Sequence, residues 1–154
     1  MPVSCRPAGL LASLPDSPYH NASAWAGRIA GGGCWVLQDA AGGMRGILRL
    51  SFAESCVPGT QAELTTLYVA AGARGQGLGA MAVGFALAQA AARGVAGLGV
   101  CVLTGNHRGE AFYRRHGARL VAEATAFDWN GMPIRERQFR LDAPTVALAP
   151  GSAA

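Results

Sequence analysis

The chain of 154 residues is one domain long, 51% apolar and 14% charged, which places it among folded proteins with room for a sizeable core. Its net charge of +4 rests on arginine alone: with no lysine, both a P-loop, whose lysine reaches the phosphates, and Schiff-base chemistry on a lysine amine are excluded. A mean hydropathy of +0.22 raises the question of a membrane span, but the uncharged run Gly75 to Ala92 is mostly Gly and Ala and holds Gln76 and Gln89, which suits a buried helix.

In chain order, residues 1 to 33 suggest a strand or loop and one or two short helices, with Asn21 or Ser23 as a cap and Gly31-Gly32-Gly33 as a stop. CWVLQ (34–38) and MRGILRLSF (44–52) flank a glycine-containing turn and read as a hairpin, with Gly46, Leu48, Leu50 and Phe52 on one face. ELTTLYVA (63–70) reads as a third strand, followed by a glycine loop and a helix to about Arg93. Gly94 supplies the stop, and Arg93 suits the negative end of the helix dipole. Spacings of three and four on that helix predict a core stripe of Leu78, Met81, Phe85, Ala88 and Ala92.

VAGLGVCVL (95–103) reads as a buried strand parallel to the third, joined through a right-handed crossover. A helix from about His107 to His116 follows, capped by Asn106 and stopped by Gly117; Asn130-Gly131 then joins two strands of a terminal hairpin. The expected domain is residues 1–142, with 143–154 a flexible tail.

The four cysteines, Cys5, Cys34, Cys56 and Cys101, show no metal-ligand spacing and are expected to be reduced core thiols; no metal is expected. The stretch AGLLASL (8–14) is too weak for a secretory signal, so a cytoplasmic protein is expected. The arginines are scattered along the sequence and no nucleic-acid-binding motif appears, so neither nucleic acid nor membrane is an expected partner.

ARGQGLGA (73–80) carries the clearest chemistry. A helix N-terminus presents unpaired N–H groups and about half a positive charge, and Gly75, Gly77 and Gly79 remove the side chains that would keep phosphate oxygens away. Arg74 adds a fork of donors. Three readings compete: a tight turn, a dinucleotide site and a phosphate cradle. A nicotinamide site wants its glycines directly after the strand and a ribose-binding carboxylate about 20 residues on. Here Ala71 to Arg74 intervene and no Asp or Glu occurs from Leu64 to Gly109.

Two motifs together resemble the GCN5-related N-acetyltransferase (GNAT) family: LYVAAGARGQGLGA, with Arg74, Gly77 and Gly79 in the family's loop pattern, and Asn106 with Phe112-Tyr113 and Gly117 in its final asparagine-to-tyrosine segment. The likeness covers about residues 63 to 118, and the terminal hairpin extends it to about 141. Ala71 stands where relatives often have proline, and Ala118 where they usually have an aromatic.

The resemblance implies an α/β fold: a mixed central sheet with a parallel strand-helix-strand unit, helices on both faces and a C-terminal β-hairpin. It implies acetyl-CoA as co-substrate, the pyrophosphate on the N–H groups of Gly75, Gln76, Gly77, Leu78, Gly79 and Ala80, and the pantetheine arm along Leu67, Tyr68 and Val69. The activity implied is direct acetyl transfer to a primary amine, either a small molecule or a protein N-terminus or side chain. The alternative is a non-catalytic acyl-CoA-binding or regulatory domain on the same fold. Asn106 and Tyr113, seven apart, share one helix face toward the cofactor. Tyr113 is the acid candidate for the departing thiolate and the Val69 N–H the oxyanion donor. Glu63 is the candidate base, directly or through water, with Glu54 a weaker one; His107 and His116 are read as helix-surface residues. Pairing through sheet edges or the terminal hairpin would give a homodimer.

Overall fold

The computed structural model describes residues 22–144. Helix α1 (Ala22–Ala30) leads into strands β1 (Cys34–Gln38), β2 (Met44–Ser51) and β3 (Ala62–Val69). A single 3₁₀ turn, Ala71–Ala73, precedes α2 (Leu78–Ala92), β4 (Gly97–Leu103), α3 (His107–Arg115), β5 (Arg119–Trp129) and β6 (Met132–Asp142). The strands form one sheet in the order β1-β2-β3-β4-β6-β5, antiparallel except where β3 meets β4. This is the mixed sheet with a parallel unit and terminal hairpin expected from the sequence.

Local chemistry sets the boundaries. Gly94 and Gly117, both left-handed, end α2 and α3 in the same way: the N–H after each glycine reaches back to a carbonyl of the last turn, Val95 to Ala90 and Ala118 to Tyr113. Asn130 and Gly131 have φ of 52° and 81°, the two left-handed residues that a tight hairpin turn between right-twisted strands requires. Helix α1 already includes Ser23, which therefore does not cap it; Asn21, and with it the other expectations for residues 1–21, lies outside the described residues. So do residues 145–154 of the expected tail.

Leu48, Leu50, Leu64, Leu98, Val100 and Phe139 form the centre of the core beneath α2. The face of α2 that meets them differs from the expected stripe: Leu78, Ala82, Val83, Ala86 and Ala90 are buried, whereas Met81, Ala88 and Ala92 are exposed. The helix is apolar nearly all round, so large side chains do not mark its inner face. Alanines at four-residue spacing bring it close to the sheet, and Phe85 meets Trp35 edge-on at its flank, ring centroids 5.4 Å apart. Strand alternation turns Cys34 to the opposite face from Trp35, and there its thiol meets the Arg28 carbonyl of α1. Helices thus cover both faces. No helix among the described residues is long and apolar enough to cross a membrane.

Candidate functional site

Strands β3 and β4 are paired only at Ala62 with Leu98 and Glu63 with Gly99; beyond these positions they diverge. The cause lies in β3, where a bulge interrupts the pairing with β2 between Arg49 and Leu50 and bends the strand. A cavity of about 840 Å³ fills the gap. Its walls come from both faces of the sheet: Leu64, Leu67 and Val102 from the α2 side, Thr66, Tyr68 and Cys101 from the other. The opening therefore passes through the sheet. The N–H of Ala70 donates to Arg45 on β2. By alternation, the N–H of Val69 faces the gap, where no strand pairs with it.

The glycine loop closes one end. Gly77, at φ 79°, is the left-handed residue from which α2 starts. The first bond of the helical ladder runs from Met81 N–H to the Gly77 carbonyl, so the N–H groups of Leu78, Gly79 and Ala80 lie ahead of it. Gly79 has a different reason for its missing side chain: a Cβ there would stand 2.8 Å from the Phe112 ring. It lets α3 pack against the first turn of α2. Arg74 donates its Nε to the Val69 carbonyl at 3.2 Å, and Gln76 donates to the Gly72 carbonyl. Arg74 lines the cavity with Gly75, Gly77, Leu78, Gly79 and Ala80; Gln76 does not.

Helix α3 forms the other wall. Asn106 caps it, its side-chain oxygen accepting the Gly109 N–H at 3.0 Å, and both Asn106 and Tyr113 line the cavity. Burial pushes the Tyr113 phenol up to about 12, so it is held neutral far above physiological pH. Arg108 and Arg115, seven residues apart, also line the cavity and with Arg74 give it a cationic rim. None of the three takes part in a salt bridge among the described residues. The helix-start and seven-residue spacing of these arginines is a signal that the sequence carried unread. His107 is exposed as expected, whereas His116 stands in the cavity wall with its ring edge-on to Phe112.

Glu63 is not in the lining of the cavity. Its carboxylate accepts the Cys56 N–H at 3.0 Å and the Ser55 hydroxyl at 3.4 Å, from the loop between β2 and β3. Glu54, on the same loop, is exposed. Cys56 is exposed too, contrary to the expectation of core thiols, while Cys34 and Cys101 are partly buried and Cys5 lies outside the described residues. Burial, then the carboxylates of Glu63 and Glu136, pushes the Cys101 thiol far above its ordinary range.

Comparison with known proteins agrees with this architecture. Among solved structures, NAA60 from Arabidopsis thaliana, in complex with a bisubstrate analogue, superposes with a TM-score of 0.63 at 18% identity, covering 80% of this chain and 83% of that one. An IAA acetyltransferase from Bacillus cereus gives 0.62 at 20% identity over 79% and 85% of the two chains. The ribosomal-protein-S18-alanine N-acetyltransferase from Escherichia coli gives 0.56 at 18% identity over 75% and 71%. At these identities the likeness is one of fold. No curated protein matches the sequence. The sequence profile of the acetyltransferase (GNAT) family matches residues 5–118, the greater part of the chain, and the chain belongs to that family.

Proposed function

We propose that the protein transfers an acetyl group from acetyl-CoA directly to a primary amine, in the cytoplasm. The observation that carries this reading is the through-sheet gap between β3 and β4, reached from one side by a cationic, glycine-lined helix start. A long cofactor with an anionic end and a reactive end fits such a channel. The N–H groups of Leu78 to Ala80 and the guanidinium groups of Arg74, Arg108 and Arg115 would hold the pyrophosphate, and the free edge of β3 at Leu67 to Val69 would hold the pantetheine amides. Gly75 and Gln76 would complete the loop around the phosphates. When bound, acetyl-CoA supplies a thioester carbonyl activated for attack by an amine.

In this reading the residues of the chain act as follows. The Val69 N–H receives the negative charge that develops on the carbonyl oxygen. Tyr113 donates a hydrogen bond to the departing sulfur, and Asn106 holds the helix that carries it. A phenol at about 12 lies about 3.5 pKa units above an ordinary thiol, about 5 kcal/mol, so it stabilises the thiolate by hydrogen bonding and solvent supplies the proton. Glu63 receives the amine proton through water, since it stands outside the cavity wall. Transfer is direct because Cys101, the one thiol in the lining among the described residues, is held protonated and so is a poor nucleophile for an acetyl-cysteine intermediate. A homodimer would pair through one of the sheet edges, β1 or β5.

Among the described residues no Asp or Glu lines the cavity, which disfavours a ribose-gripping nicotinamide site, and Tyr113 in the wall favours catalysis over simple acyl-CoA binding. The test is thiol release by the purified protein with acetyl-CoA across a panel of primary amines. Release that depends on both acetyl-CoA and an amine is expected; binding of acetyl-CoA with no release for any amine would leave a binding domain in place of an enzyme.

A further inference from the structure

Resting on the acetyl-transfer reading, we propose that the acceptor is the amino terminus of a peptide with apolar leading residues, laid across the sheet face turned away from α2. It would run from the β3–β4 gap to the closed end of the β5–β6 hairpin. Register defines this face. Strand β6 is regular, so period two puts Met132, Ile134 and Glu136 on one side; Leu103 stands opposite Glu136 and Trp129 opposite Met132. Leu103, Trp129 and Met132 are 46%, 58% and 62% exposed, an apolar run that leads outward from the gap. Leu103 also lines the cavity, so the run is continuous with the reaction site.

Charge identifies what enters the inner end. Glu63 and Glu136 take part in no salt bridge among the described residues, in a chain with 13 arginines to 9 carboxylates. Register places both beside Cys101, which lines the gap: Glu63 stands opposite Gly99 and Glu136 opposite Leu103, the residues two before and two after Cys101 on the same face of β4, although neither carboxylate is itself in the lining. A cationic amine complements them. Length then separates small amines from peptides. Glu136 and Met132 are four residues apart on a strand, about 13 Å, the span of about four residues of extended peptide. A small amine would satisfy the carboxylates and leave the apolar run bare; an extended chain covers both. Basicity points the same way. Carboxylates attract an ammonium but are weak bases, and an α-amine with pKa near 7.7–8.0 is partly neutral at pH 7 where a lysine-type amine near 10.4 is not.

The test uses the full chain with acetyl-CoA and follows thiol release. The acceptors are two tetrapeptides that differ only in their first two residues, Leu-Phe against Asp-Glu, together with spermidine. The Leu-Phe peptide is expected to show kcat/KM about tenfold or more above both others. Trp129→Ala and Glu136→Gln should each raise its KM about tenfold and leave the KM for acetyl-CoA unchanged. A preference for spermidine or for the acidic peptide, or an unchanged peptide KM in Trp129→Ala, overturns the proposal while leaving acetyl transfer intact. Thiol release with none of the three acceptors overturns the peptide proposal, and the panel of primary amines then decides the transferase reading separately.

Discussion

At the scale of single residues, Tyr113 is the group whose environment most changes its chemistry. Burial raises its phenol to about 12, above the ordinary value near 10, so the neutral form is favoured in the folded state. The associated stability is fully present below pH 10 and is lost as pH rises through about 12. Denaturant titration of the wild type should show declining stability across pH 10 to 12, and Tyr113→Phe should lack that component. Under the proposed mechanism, the same variant should lose about tenfold or more in turnover while binding acetyl-CoA with unchanged affinity. An unaltered rate would remove Tyr113 from the chemistry. The spacing of Asn106 and Tyr113 was legible in the sequence because both sit at fixed positions on one helix. The surroundings of Glu63 were not, because its partners Ser55 and Cys56 arrive from a loop that folds back over the sheet.

At the scale of elements, α2 shows what pattern reading can and cannot recover. Its ends were readable from the glycines that bracket it, since backbone conformation at Gly77 and Gly94 is a local property. Its inner face was not, because an apolar helix packed through alanines has no amphipathic stripe to read. Two glycines of α2 make the distinction testable. Gly84 has open space where a Cβ would stand, so Gly84→Ala should stabilise the fold by about 0.5–1 kcal/mol through helix propensity. Gly79→Ala gains the same propensity but drives its methyl against Phe112, at the scale of about 1–3 kcal/mol that overpacking costs. Thermal unfolding of the two variants should therefore move in opposite directions. Stabilisation by both would mean that Phe112 yields freely and that the α2–α3 contact does not depend on a bare backbone at Gly79.

At the scale of the whole molecule, charge is sorted in a way that sequence order hides. The arginines are scattered along the chain, which is why they read as a dispersed basic surface, yet three of them meet at the glycine-loop side of the gap because α3 folds back beside the start of α2. Glu63 and Glu136, without arginine partners among the described residues, flank Cys101 by register on the sheet face turned away from α2. The cavity thus has three arginines in its lining and two carboxylates beside Cys101. Exposed charges of this kind act over a Debye length, which falls from about 30 Å at 0.01 M salt to about 3 Å at 1 M. If the rim draws acetyl-CoA in through its phosphates, the KM for acetyl-CoA should rise several-fold over that range. The turnover number should change little, because under the proposed mechanism the Val69 N–H and Tyr113 would act at contact distance inside the cavity. Replacing Arg74, Arg108 and Arg115 by alanine, singly and then together, should flatten the salt dependence stepwise, with the triple variant nearly insensitive to salt. A KM that ignores ionic strength in the wild type would show that the rim contributes only short-range hydrogen bonds, and one that stays salt-dependent in the triple variant would place the attracting charge elsewhere on the surface.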